Sequence, residues 1–104
     1  MDTTESDVTL AREAFAEALR MQMARARVNL RELSRLTRRG GAKGIAETTI
    51  GKYASGERSP LPPAQFQLEE ALGVELGTLT VRAVAVYERL KSERAAAKIT
   101  REIA

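Results

Sequence analysis

Glu47, Thr48, Gly51, Lys52 and Ser55 recur at spacings of one, three and four, which places them on one side of a short helix. A carboxylate, a hydroxyl with its methyl, an ammonium and a position without a side chain are groups that can read base edges in a groove. Thr48 can hydrogen-bond a base or phosphate and set its methyl against thymine, Lys52 can donate to guanine or phosphate, and Glu47 can accept from cytosine. Gly51 offers close approach without a side-chain code, so part of the selectivity there would come from duplex shape. Gly56-Glu57-Arg58-Ser59-Pro60 closes the segment, the glycine stopping the helix and the proline preventing its continuation.

A second set is cationic. Arg31, Arg35, Arg38, Arg39, Lys43 and Arg58, with the Ser55 hydroxyl, suit phosphate contacts that fix register without reading sequence. Residues 20–58 carry ten Lys or Arg against three Glu, a net +7, whereas residues 61–104 balance six against six. The +3 of the whole chain therefore conceals a localised positive region, which attracts phosphate even when the total is small. The alternative role of these residues is a solvated, solubilising face.

Other chemistry lacks its parts. The 104 residues include neither Cys nor His, which removes soft zinc sites, thiol nucleophiles, disulfides and histidine acid–base catalysis. Ser34, Ser55 and Ser59 have no histidine partner, and the scattered acidic residues show no metal-ligand pattern. The glycines at 40, 41 and 44 do not form a nucleotide-binding loop, because the Gly-Lys-Ser/Thr ending and a preceding strand are both missing. A binding protein without catalytic activity or cofactor is expected. The acidic opening lacks a secretion signal's positive-then-apolar pattern, and no apolar run is long enough to span a bilayer. A cytoplasmic location and no membrane partner are expected by default.

The elements that position these residues read as helices. Residues 1–8 are expected as a flexible arm. From Thr9 to about Arg25, Ala11, Phe15, Ala18, Leu19 and Gln22 recur at helical spacing and require cover. Asn29 caps a second helix to Thr37, with Glu32 completing a capping box and Leu30, Leu33 and Leu36 facing inward. Arg39 to Ala46 reads as a loop. Ala46, Ile50 and Tyr53 turn the third helix toward the core. Pro62-Pro63 opens a fourth, packed through Ala64, Leu68, Ala71 and Leu72 with Phe66 at the core's edge, and Gly73 ends it before a compact return through Val74, Leu76 and Leu79. The segment from Thr80 to Ile103 is rich in helix formers; Val84, Tyr87, Leu90, Arg94 and Ala97 offer a contact face, either to a partner or to the chain's own body. The pattern implies an all-α, compact helix-turn-helix bundle of four or five helices with an extended C-terminal helix.

From Phe15 to Leu79 the chain resembles the phage-repressor-like helix-turn-helix family. Leu19-Arg20, Val28-Asn29 before Leu33, Gly44-Ile45 before Ile50, Gly56-Glu57-Arg58-Ser59-Pro60 and Ala71-Leu72-Gly73-Val74 before Leu79 carry the resemblance by their order. It implies that residues 29–37 form a supporting helix and 46–55 a recognition helix laid in the major groove of duplex DNA. Glu47, Thr48 and Gly51 then lie toward base edges, and backbone contacts gather near the start of the supporting helix and around Lys52 and Arg58. The chain departs from the family in three places. Leu30 stands where a polar amide is common, Ala54 replaces an acidic residue, and Arg38 to Lys43 enlarge a normally tight turn.

The expected organisation is thus an arm (1–8), a DNA-binding domain (9–79) and a C-terminal helix (80–104) for dimerisation or partner binding. The expected function is sequence-specific transcription regulation, most naturally repression, by a homodimer on paired half-sites. The alternative is a protein-interaction module, such as an antitoxin or assembly regulator, working through the last helix. Structural RNA binding is a weaker alternative, since the sparse aromatics form no stacking platform.

Overall fold

The computed structural model describes residues 3–39 and 43–103 and is all-α among them. Five helices follow in order: α1 (Thr3–Ala26), α2 (Leu30–Leu36), α3 (Glu47–Ser55), α4 (Pro62–Leu72) and α5 (Thr78–Ile103). Of the expected flexible arm, residues 3–8 are already helical, since no glycine or proline precedes Thr9 to stop the helix; Met1 and Asp2 lie outside the described residues. The expected boundary between residues 79 and 80 falls inside the first turn of α5, where Leu79 is fully buried in the common core.

Each helix end has a local cause. α1 stops where Arg27 takes a left-handed backbone (φ 55°), with the Arg27 N–H donating to the Ala24 carbonyl at 3.2 Å and the Val28 N–H to Met23 at 3.1 Å. This is a Schellman ending with arginine where glycine is easier. The capping box of α2 is complete: Asn29 Oδ1 accepts from the Glu32 N–H at 2.8 Å and Glu32 Oε1 from the Asn29 N–H at 3.2 Å. α3 and α4 end at Gly56 and Gly73, both left-handed. The start of α5 is held from another helix. Glu69 Oε2, on fully buried Glu69 of α4, accepts from the Gly77 and Leu79 N–H groups, each at 2.9 Å. A carboxylate there satisfies orphan donors and meets the positive end of the helix dipole.

The core joins Phe15, Leu19 and Met23 of α1 to Leu33, Ile45, Ile50, Tyr53, Leu68, Leu72 and Leu79. Ala11 and Ala46, expected to face inward, are exposed, and Ile45 supplies the core contact just before α3. Leu30 and Leu36 are only half-buried, Phe66 is 43% exposed, and Leu76 stands largely in solvent. On α5 the buried side runs through Leu79 and Val86, with Ala83, Tyr87 and Leu90 half-buried and Val84 exposed. α5 lies antiparallel on α1: Arg89 Nη2 meets Glu17 Oε1 at 2.7 Å, and further along α5 Arg94 meets Glu13, earlier on α1.

Candidate functional site

α3 is held on three sides. Ile50 and Tyr53 are buried in the core, so the opposite face is left outward. At its C-terminal end Arg20 Nη1 of α1 donates to the Ala54 carbonyl at 2.5 Å, where a cation meets the negative end of the helix dipole. Against its middle, Leu30 at the start of α2 lies over Gly51: a β-carbon built on Gly51 would sit 3.7 Å from Leu30 Cδ1. The outward face then consists of Glu47, Thr48, Lys52 and Ser55, all exposed. Gly51 is half-buried beneath Leu30 rather than standing clear. The Ser55 hydroxyl donates to the Lys52 carbonyl at 3.1 Å, which leaves its oxygen free to accept.

The enlarged link between α2 and α3 is clamped at both ends by buried hydroxyls. Ser34 Oγ donates to the Ile45 carbonyl at 2.6 Å; Thr37 Oγ1 donates to the Ser34 carbonyl at 2.6 Å and accepts from the Ile45 N–H at 2.9 Å. The link therefore leaves α2 and rejoins the bundle before α3 at fixed points. Gly44 (φ 75°) closes the return, and a β-carbon there would come within 2.4 Å of Arg38 Cγ. The stem of Arg38 therefore lies across a position only glycine can fill. Gly40, Gly41 and Ala42, the middle of the expected loop, lie outside the described residues.

The cationic candidates divide into two groups. Leu30 and Ser34 mark the edge of α2 that meets α3, and at 3.6 residues per turn Arg31 and Arg38 fall beside that edge. Arg35 and Arg39 fall further round, sharing a shallow hollow with Glu32 and Leu36; Arg39 also borders Gln67, Glu70 and Ala71 of α4. Lys43 and Arg58 are exposed at the approaches to the two ends of α3. Of the six cations, Arg38 lies against Gly44 on the approach to α3, Lys43 and Arg58 flank its ends, and Arg39 lies beside α4; Arg31 and Arg35 are exposed along α2. Of the expected partner face, Arg94 is engaged with Glu13, Tyr87 and Leu90 are half-buried, and Val84 and Ala97 are exposed.

Three residues of this arrangement had no assigned part in the sequence reading. Arg20 stands beside Leu19 in the family resemblance without a role of its own, and no local spacing marks its bond to Ala54, 34 residues on. Arg27 is exposed two residues before the Asn29 cap, in a backbone conformation that disfavours it. Glu69 carries no motif of its own; Leu68 beside it, on the packing stripe of α4, is the signal that this turn is buried. No group of three His, Cys, Asp or Glu residues among those described is placed to hold a metal. No described helix is long and apolar enough to cross a membrane. Comparison of the chain with protein-family models, curated proteins and solved structures finds no match to any of the three.

Proposed function

We propose that this chain is a sequence-specific duplex-DNA-binding regulator of transcription, acting in the cytoplasm as a repressor, with α3 as its recognition helix. The observation that carries the reading is the way α3 is fixed. Core burial of Ile50 and Tyr53, the Arg20 bond to Ala54 and the Leu30 contact over Gly51 make a rigid mount for a polar face. Preorganised side chains lose little freedom on binding, which is what a base-reading surface requires. Thr48, Lys52 and Glu47 then meet base edges, while Arg31, Arg38, Lys43 and Arg58 surround them as phosphate contacts. Arg39, beside Gln67, Glu70 and Ala71 of α4, and the exposed Arg35 contribute to the field more than to direct contact. No catalysis or cofactor enters this reading.

The test is selection from a random duplex library at about 150 mM salt, a concentration at which nonspecific phosphate binding is weakened. The expected result is a reproducible motif, paired where two copies bind together. Enrichment no better than for a nonspecific duplex would sink the proposal.

The exposed apolar side chains favour a second reading, protein–protein association. Leu61 (75% exposed), Val81 (70%) and Val84 (56%) accompany a hollow of about 250 Å³ bordered by Phe15, Val84 and Tyr87. This surface suits a second copy of the chain or another protein, and it is compatible with DNA binding through α3.

A further inference from the structure

On the other side of the α1–α5 seam lies a separate hollow of about 260 Å³. Its floor is Ala18, Ala85, Val86, the half-exposed Met21 and the buried Gln22, and its rim is Arg25, Arg82 and Arg89. Of the three rim cations, Arg89 is neutralised by Glu17 and Glu93, and further along the seam Arg94 pairs with Glu13. The other two are not. Among the described residues Arg25 and Arg82 form no ion pair, and no carboxylate borders the hollow. Two exposed, unpaired guanidiniums on the rim of a mostly apolar floor make this stretch of the groove positive and favour negative charge from outside.

We propose that this groove docks an acidic amphipathic helix of a partner protein, with one large apolar side chain seated on Met21 and Val86 and carboxylates paired to Arg25 and Arg82. The volume falls below the range of about 300–1,000 Å³ typical of small-molecule sites and fits an anchoring side chain instead. Two antiparallel helices leave a lengthwise channel, and a third helix laid into such a channel buries an apolar stripe at i, i+3 and i+4. The apolar floor argues against DNA, whose phosphates need none. Its small extent argues against a bilayer, which rewards a broad apolar surface. Arginine is suited to the rim because its planar fork binds carboxylates bidentately.

The groove is also independent of α3. Arg20 points to the end of α3, and Met21 and Arg25 lie about 100° and 140° round α1 from it at helical spacing. The docked partner and α3's own ligand can therefore be held together, and the proposal stands whether or not that ligand is DNA.

The experiment is selection of helix-stabilised peptides displayed on phage against the full-length chain. Phosphatidylserine vesicles and a random-sequence duplex are assayed alongside as competing ligands. The expected pool carries Asp or Glu flanking a Leu or Phe stripe and binds at least tenfold more weakly to Arg82→Glu and to Met21→Glu, with the helical circular dichroism of both variants unchanged. Arg25→Gln, a milder change at an exposed position, is expected to weaken binding severalfold and guards against a misfolded reversal variant. An absent, basic or apolar-only pool overturns the proposal, as does a pool indifferent to these substitutions. Vesicle or duplex binding that is lost in Arg82→Glu while peptides fail overturns it in favour of that ligand.

Discussion

Arg27 occupies a left-handed position that glycine adopts at no steric cost, yet an arginine stands there at the rim of α2, whose first turn packs against α3. Strain retained at one exposed residue points to use rather than to packing. Arg27→Gly should relieve about 0.5–1 kcal/mol of backbone strain, net of the greater freedom glycine gives the unfolded chain. Its Tm should rise by a few degrees while affinity for the selected duplex falls and the salt slope drops by about one. A higher Tm with unchanged DNA affinity would mean that Arg27 is merely tolerated. Glu69 presents the opposite case, a charged side chain placed for folding alone. Glu69→Ala strips the acceptor from two backbone N–H groups at the start of α5 and leaves a cavity, which should cost about 3 kcal/mol in chemical denaturation; Glu69→Gln keeps an acceptor oxygen and should cost about half as much. Near-equal losses in the two variants would show that the hydrogen bonds to Gly77 and Leu79 carry little.

Among the elements, α3 separates what its sequence displays from what its neighbours decide. Gly51 reads as a point of close approach to DNA, but Leu30 covers it. Gly51→Ala should therefore gain about 0.5–1 kcal/mol of helix propensity, since the added β-carbon meets Leu30 at an ordinary 3.7 Å. Duplex affinity should stay within about twofold, whereas Thr48→Ala and Lys52→Ala should each lose about tenfold, the scale of one base contact. A large affinity loss in Gly51→Ala, measured by fluorescence anisotropy, would return Gly51 to the groove. The same contrast explains what was legible. The capping box at Asn29 and Glu32 and the stops at Gly56 and Gly73 lie within a few residues of what they control, so spacing alone reveals them. The Arg20 bond to Ala54 spans 34 residues and the Glu69 bond to Leu79 joins two helices, so no local period marks them. Ile45 was hidden for a related reason: it is buried because Ser34 and Thr37 fasten its backbone, not because it belongs to a helical stripe. On α5 the contact face through Val84, Tyr87 and Leu90 leaves open whether a partner or the body covers it, since valines at 81, 84 and 86 are indistinguishable until α1 buries Val86.

For the molecule as a whole, the radius of gyration is 15.4 Å and the longest extent 56 Å. A compact domain of this length would have a radius near 13 Å, and the excess comes from the antiparallel α1–α5 pair. Beyond Leu90 every described side chain of α5 is exposed, so the distal half of the pair buries apolar surface mainly from the α1 side, at Leu10 and Ala14, with the Arg94–Glu13 ion pair at its surface. The Glu17 hydrogen bond raises the Arg89 pKa above its ordinary value, the sign expected for an ion pair between the two helices. Exposed pairs of this kind are individually weak and screened by salt. A helix pair so thinly covered is better stabilised by association, and the apolar residues Leu61, Val81 and Val84 lie where its base meets the α3–α4 connection. An isologous contact there would join two copies through equivalent surfaces and set their α3 helices to act together on half-sites about 34 Å apart. The wild-type chain should then scatter light as a dimer at micromolar concentration, and Val84→Glu should make it monomeric. The variant should retain weak binding to a single half-site but lose the added affinity of the paired site, a drop of about 100-fold set by effective concentration. If wild-type protein remains a monomer both free and on the paired site, the apolar surface belongs to a different partner and the two half-sites are read independently.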